Sequence, residues 1–214
     1  MFKRLTLIFA LLAMQCLAQD VPDVKALTKK AEAGDLDAQI ALGMAYDQGK
    51  GIERDRRKAA EWFAKAAALG SAEAQFNLGT MYDSGVGVKQ DLAKALELFG
   101  KAAEQGMLDA QFNLANLYAE GRGTKKDILK AAEWFEKAAS KGMTRAQVNL
   151  GLLHMKGEGM PRNNMKGYAW FSLAAKDGDP TAKKSRDFIE TKLNAEQKAM
   201  FRKAAEELEA TIKK

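Results

Sequence analysis

The sequence predicts an all-α solenoid built from stacked helical hairpins. Three observations carry this expectation. The 214-residue chain repeats itself every 36 residues, four times and without an insertion. Ala38, Ala74, Ala110 and Ala146 share one position, and Leu42, Leu78, Leu114 and Leu150 another. Within each repeat the apolar residues fall at helical spacing. Paired glycines then punctuate every repeat at the same place: Gly49, Gly85, Gly121 and Gly157, followed two residues on by Gly51, Gly87, Gly123 and Gly159. A fixed period in the range of about 20–50 residues marks an array in which each supersecondary unit stacks on the next. Such arrays display extended surfaces, so recognition is expected before catalysis.

Residues 1–18 are expected to be a secretory signal peptide. Lys3 and Arg4 give a basic start, residues 5–17 an apolar run, and Cys16-Leu17-Ala18 a small-x-small cleavage site. The apolar run is short for a membrane-spanning helix, which needs roughly 20 residues. An uncleaved anchor is the alternative. Lipid attachment at Cys16 is disfavoured because Ala13-Met14-Gln15 lacks the usual leucine and small residue. Cleavage after Ala18 removes the only cysteine and leaves a chain stabilised by packing rather than disulfides. It also removes two of the basic residues, lowering the formal charge from +6 to +4. That modest surplus, spread among lysine–glutamate pairs, speaks for solubility rather than nucleic-acid binding. The expected location is periplasmic or secreted, and the expected state a monomer.

Residues 19–34 read as a half-repeat cap. They match only the second helix of a repeat, with Leu27 under Phe63 and Gly34 under Gly70. Residues 35–178 hold the four full repeats. In the first of these, Ala38, Leu42, Ala45 and Tyr46 line one helix face. Gly49-Lys50-Gly51 ends that helix, since glycine accepts the left-handed conformation of a C-terminal cap. Asp55 stands where the next helix needs an N-cap. Ala59, Trp62, Phe63, Ala66 and Ala67 then form a second stripe, closed by Gly70. Small residues at Gly43, Gly79, Ala115 and Gly151 are expected to let the two helices approach. Trp62, Trp134 and Trp170 fill the remaining space, with Leu98 in the second repeat. Trp134 is accordingly expected to be buried. Residues 179–214 read as a C-terminal helical cap, with a dimer contact as the alternative for the final helix. There Asn194-Ala-Glu-Gln197 has the pattern of a capping box, and Met200, Phe201, Ala204, Ala205 and Leu208 form one apolar face.

The stretch from Ala74, Ala-Gln-Phe-Asn-Leu-Gly-Thr-Met-Tyr-Asp-Ser-Gly-Val-Gly-Val, resembles the Sel-one-like repeat, a relative of the tetratricopeptide repeat. The second half of the unit agrees: Asp127-x-x-Lys130-Ala131-x-x-Trp134-Phe135-x-Lys137-Ala138-Ala139-x-x-Gly142. The resemblance covers about residues 24–178. It implies a right-handed α-α superhelix that serves as an adaptor or scaffold for protein partners. Exported bacterial members are similar in layout, with a signal peptide, a few repeats and a helical cap. The fourth repeat departs from the pattern. His154 takes the tyrosine position of Tyr46, Tyr82 and Tyr118, Asn163 replaces the capping aspartate, and Gly167 replaces Ala59. Looser packing is expected there. A cysteine-rich branch of the family is associated with β-lactam binding, and this chain has none of that branch's cysteines.

No catalytic, cofactor-binding or metal-ligating residue is expected, and no cofactor. The Gly-x-Gly turns follow helices rather than strands and do not continue into a phosphate-binding loop. The single histidine, His154, has no histidine or cysteine partner, which argues against acid–base work and against zinc. The Ser-x-x-Lys signature of penicillin-binding serine enzymes is absent.

One surface has the character of a binding face. Ile40, Phe76, Phe112 and Val148 share a position on the first helices, well over a right angle from the Leu42–Tyr46 stripe. Glu73, Asp83 and Asp109 lie beside them as an acidic rim that fades toward the C-terminal end. By the resemblance, this side lines a concave groove. Its expected partner is a protein or peptide segment that is apolar and basic. The competing expectation is that Phe76 and Phe112 pack against the next repeat, which the usual burial of large apolar residues favours. Two other functions stand as alternatives: a cell-wall or β-lactam binding or hydrolysing protein, by analogy with the cysteine-rich branch, and a purely structural subunit of an envelope complex.

Overall fold

A computed structural model describes residues 23–212. The leader expected at residues 1–18 lies outside the described residues. The fold is all-α, with eleven helices and no strand among the described residues. The chain divides into two compact units at residues 90/91.

The first unit begins with α1 (Val24–Glu32), capped by the Asp23 carboxylate, which accepts from the amides of Lys25 and Ala26. The first repeat contributes α2 (Leu36–Gln48) and α3 (Arg56–Ala68), and the second opens with α4 (Ala72–Ser84). Val24 and Leu27 pack beside buried Ala31, Ala38 and Leu42. Asp35 and Ser71 cap α2 and α4 by accepting from the amides of Ala38 and Ala74. Asp55 caps α3 through the amides of Arg57 and Lys58. The Lys58 amide bond, more than any other influence, holds its carboxyl below the usual range.

The second unit holds α5 (Leu92–Glu104), α6 (Leu108–Glu120), α7 (Ile128–Ala139), α8 (Thr144–Lys156), α9 (Asn164–Lys176), α10 (Pro180–Glu190) and α11 (Ala195–Ile212). Asp91, Asp127 and Asn163 cap α5, α7 and α9 by accepting from the amides of Lys94, Lys130 and Lys166. Asparagine thus replaces aspartate at the fourth cap without loss of the hydrogen bond, though without its charge.

The two glycines of each turn do different work. The first, at Gly49, Gly85, Gly121 and Gly157, is the left-handed cap of a first helix, with φ between 65° and 72°. The second seats the turn on the preceding repeat. A Cβ at Gly87 would lie 2.4 Å from the carbonyl oxygen of Arg56, and one at Gly123 2.4 Å from that of Leu92. At Gly159 it would lie 2.8 Å from Ile128 Cβ. Only a residue without a side chain permits this approach.

In each unit the phenylalanines line the core while Trp62 and Trp134 stand at its margin, which corrects the expectation for Trp134. Phe63, Phe99, Phe135 and Phe171 are all buried, whereas Trp62 and Trp134 are half-buried. Lys137 lies over the Trp134 ring at 3.6 Å from its centroid, and Lys65 over Trp62 at 3.7 Å. The small residues of the first helices make room for the phenylalanines. A Cβ at Gly43 would sit 2.7 Å from the Phe63 ring, and one at Gly151 2.8 Å from that of Phe171. Around Gly167 the fourth repeat is tightly packed, contrary to expectation. Met155 fills the space left by Gly167, where a Cβ would meet it at 2.8 Å. Tyr168, Trp170 and Phe171 are buried beside it.

A column of buried glutamines ties successive hairpins together. Gln39, Gln75, Gln111 and Gln147 donate through Nε2 to the carbonyls of Ala31, Ala67, Ala103 and Ala139, at 3.1–3.3 Å. These carbonyls belong to the ends of the preceding second helices, whose last turns lack intrahelical donors. Sequence reasoning passed over these residues. The signal was there: a polar residue recurring every 36 positions next to the core alanine.

The capping box read at Asn194-Ala-Glu-Gln197 forms at the start of α11. Asn194 and Gln197 exchange hydrogen bonds of 3.0 and 2.8 Å in a capping box. Phe201 meets Tyr168 edge-on at 5.5 Å, and Leu208 and Ile212 pack beside the cluster containing Trp170. Met200, by contrast, is exposed and lies off that face. A polar clasp completes the cap. Glu190 accepts from both the Nε and an Nη of Arg202 at 3.2 and 3.0 Å, and from the Tyr168 hydroxyl at 2.6 Å. Arg202 first and Tyr168 second pull its carboxyl down to about 2. Because the folded value is depressed, this stabilisation is complete above the unfolded carboxylate range and is lost as pH falls through it toward about 2. Thermal melts at a series of pH values should therefore show Glu190→Gln about 1 kcal/mol less stable than the parent at neutral pH, with the gap closing in acid.

Candidate functional site

The four first helices carry the proposed face, and their chemistry differs between the two units. In the first unit, Ile40 on α2 and Phe76 on α4 are half-buried. Asp37 and Glu73 sit in the first turns of these helices, where the helix dipole favours a carboxylate, and both are exposed. Asp83 is half-buried near the end of α4, where its carbonyl accepts from Gln90 Nε2 at 2.8 Å. Asp47 pairs with Arg56 at 3.2 Å. Between α2 and α4 the surface dips into a cavity of about 270 Å³, lined by Met44, Asp47, Asn77, Thr80 and Ser84 with the Phe63 ring among its walls.

In the second unit the same positions are engaged within the protein. Phe112 on α6 is half-buried and meets Phe135 edge-on at 5.6 Å. The Arg145 guanidinium lies over the Phe112 ring at 4.7 Å and bridges Asp109 at 2.9 Å. Arg145 and Asp109 occupy the same position in successive repeats, so the fourth repeat's cation neutralises the third repeat's acid. Val148 packs beside the cluster of Tyr168 and Phe171. The acidic rim that fades along the sequence is thus, in the second unit, partly an internal ion pair.

His154 lies at the end of α8, buried, with Nδ1 lacking a hydrogen-bond partner. Burial first, and the Lys166 ammonium second, lower its pKa, so the imidazole is neutral at physiological pH. Among the described residues no group of three or more histidine, cysteine or acidic side chains is placed to hold a metal ion. No helix among them is long and apolar enough to cross a membrane.

Hairpins repeated in register, with one helix of each presenting a face, define a helical-repeat scaffold, an architecture that is generally non-catalytic. The chain belongs to the Sel1 repeat family, whose model matches residues 36–71, 72–107, 108–143 and 144–179. Sel1 repeats generally mediate protein–protein interaction. Among solved structures it is similar to c5321, a protective antigen of uropathogenic Escherichia coli strains displaying an SLR fold, at 37% identity and a TM-score of 0.75. The match covers 86% of this chain and 40% of that one, so the chain spans two fifths of that protein's length. It is also similar to a Sel1 repeat protein from Oxalobacter formigenes, at 30% identity and a TM-score of 0.75, over 86% of this chain and 79% of that one. A comparison with curated proteins found no match.

Proposed function

We propose that this protein is an exported, non-enzymatic scaffold that holds an apolar, basic segment of a partner protein on the faces of its first helices. The observation that carries this reading is the first unit's face. Half-buried Ile40 and Phe76 stand beside Asp37 and Glu73, two exposed carboxylates for which no ion pair occurs among the described residues. An apolar contact with an acidic rim matches a segment in which apolar and basic side chains alternate. Aromatic anchors carry most interface energy, while rim charges chiefly steer the approach. Export rests on Lys3, Arg4, the apolar run and the small residues ending at Ala18.

The test uses protein recovered from the envelope fraction, whose intact mass should correspond to a chain beginning at Gln19. Its crosslinked partner, once identified and purified, is titrated against variants. Asp37→Lys with Glu73→Lys should slow association and weaken its dependence on salt. Phe76→Ala should reduce affinity by about tenfold or more. Asp109→Lys should do little to binding, because Arg145 already engages that acid. Unchanged association for the first two variants would sink the assignment of this face, and a retained leader would overturn the export reading.

A further inference from the structure

The fourth repeat breaks the pattern at several positions, and three of the altered residues line a single cavity together with Lys166. In the first and third repeats, Lys58 and Lys130 lie over Tyr46 and Tyr118, each 5.4 Å from the ring centroid. The same lysines bridge the capping Asp55 and Asp127 at 3.6 and 3.7 Å. In the fourth repeat His154 replaces the tyrosine and Asn163 the aspartate, so Lys166 faces a neutral ring and makes no ion pair among the described residues. Met160 stands where the other repeats have Ile52, Val88 and Thr124, and Met165 where they have Arg57, Ala93 and Leu129. His154, Met160, Met165 and Lys166 all line a cavity of about 440 Å³ formed with α7 and α11. That volume is in the range of small-ligand sites, which are apolar pockets with a few convergent polar groups.

Its walls are chemically differentiated. Trp170, Leu150 and Leu208 join the two methionines as the apolar lining. His154 is 8% exposed and its Nδ1 has no partner, so a buried polar atom beside the cavity is left unsatisfied. Such an atom is costly unless something pairs with it. Lys166 is the one cation in the lining, and Glu136 and Glu207 are its anions. Lys166 is in the first turn of α9, Glu136 is on α7 and Glu207 on α11, so the charges of opposite sign stand on different helices.

We propose that this cavity binds a short apolar peptide with both termini free. Its carboxylate pairs with Lys166, and its ammonium with Glu136 and Glu207. Its side chains lie against Trp170, Met160 and Met165, and a peptide group meets the neutral imidazole of His154. A zwitterion with an apolar body complements a mainly apolar cavity that carries one cation and two anions. This site shares α8 with the partner face but none of the residues tested there, and stands or falls independently of it.

The dipeptide Leu-Leu is the probe, titrated into the full protein by calorimetry while the indole N–H resonance of Trp170 is followed. Its N-acetylated, C-terminally amidated and doubly capped forms serve as comparisons on unaltered protein. The free dipeptide should bind and shift Trp170, and each cap should weaken binding by about tenfold or more. Lys166→Met should remove the sensitivity to amidation alone, and Glu136→Gln with Glu207→Gln the sensitivity to acetylation alone. Circular dichroism establishes that the variants are folded, and the capped peptides keep the test decisive if one is not. Absence of binding at millimolar peptide overturns the proposal. So does equal binding of the doubly capped form, sensitivity to only one cap, or heat release that leaves Trp170 unmoved.

Discussion

Phe135→Ala should cost about 3–5 kcal/mol, as truncation of a fully buried aromatic does. Phe135 is 2% exposed and lies in the cluster with Ala115, Ala131, Ala146, Leu150 and Trp170. Removing its ring opens a void between the helices of its own repeat, and Ala115 is too small to fill it. The neighbouring Trp134→Ala should cost much less, about 1–2 kcal/mol, because its ring is half-buried and covered on one side by Lys137. Urea denaturation of the two variants separates them. Equal losses, or a larger loss at Trp134, would mean that the tryptophan column is the true core seam.

Gly123→Ala should cost roughly 2–5 kcal/mol, from two sources. An L-residue in the left-handed region costs about 1–2 kcal/mol, and overpacking adds about 1–3 kcal/mol. The methyl group would press on the backbone carbonyl of Leu92, which cannot turn aside as a side chain would. Gly142→Ala isolates the first source. Its φ is +86°, yet a Cβ there meets nothing within 4 Å, so about 1–2 kcal/mol is expected. The difference between the two variants in the same denaturation experiment measures the worth of the seat between turn and helix. No difference would show that the turn can lift away freely.

The period alone made much of this architecture legible. Register fixes where helices start and stop once the glycines and capping aspartates are read as punctuation, and Asp55, Asp91 and Asp127 cap as their positions require. The core seam was harder, because Trp62 and Phe63 are adjacent and helical periodicity places both on one broad stripe. Which of the two is buried depends on the closeness of Gly43 to the Phe63 ring, a contact between helices that sequence spacing does not encode. The same holds for the binding face. Asp109 reads as a rim carboxylate until Arg145, 36 positions on, is seen to lie against it. The fourth repeat looked degraded residue by residue, yet Gly167 and Met155 compensate one another in space.

The seated turns also act as a ruler for how such a chain can change length. Gly87 lies against Arg56, Gly123 against Leu92 and Gly159 against Ile128, each glycine 31 positions after its seat. A residue inserted anywhere within that span would carry the glycine out of its seat and bring a side chain onto a carbonyl. Deletion or duplication of a whole repeat leaves every remaining glycine on its own seat. The lineage of this chain is therefore expected to have grown and shrunk in steps of one complete hairpin. An engineered version with one repeat copied in frame should fold, where one with a single residue added to a turn should not.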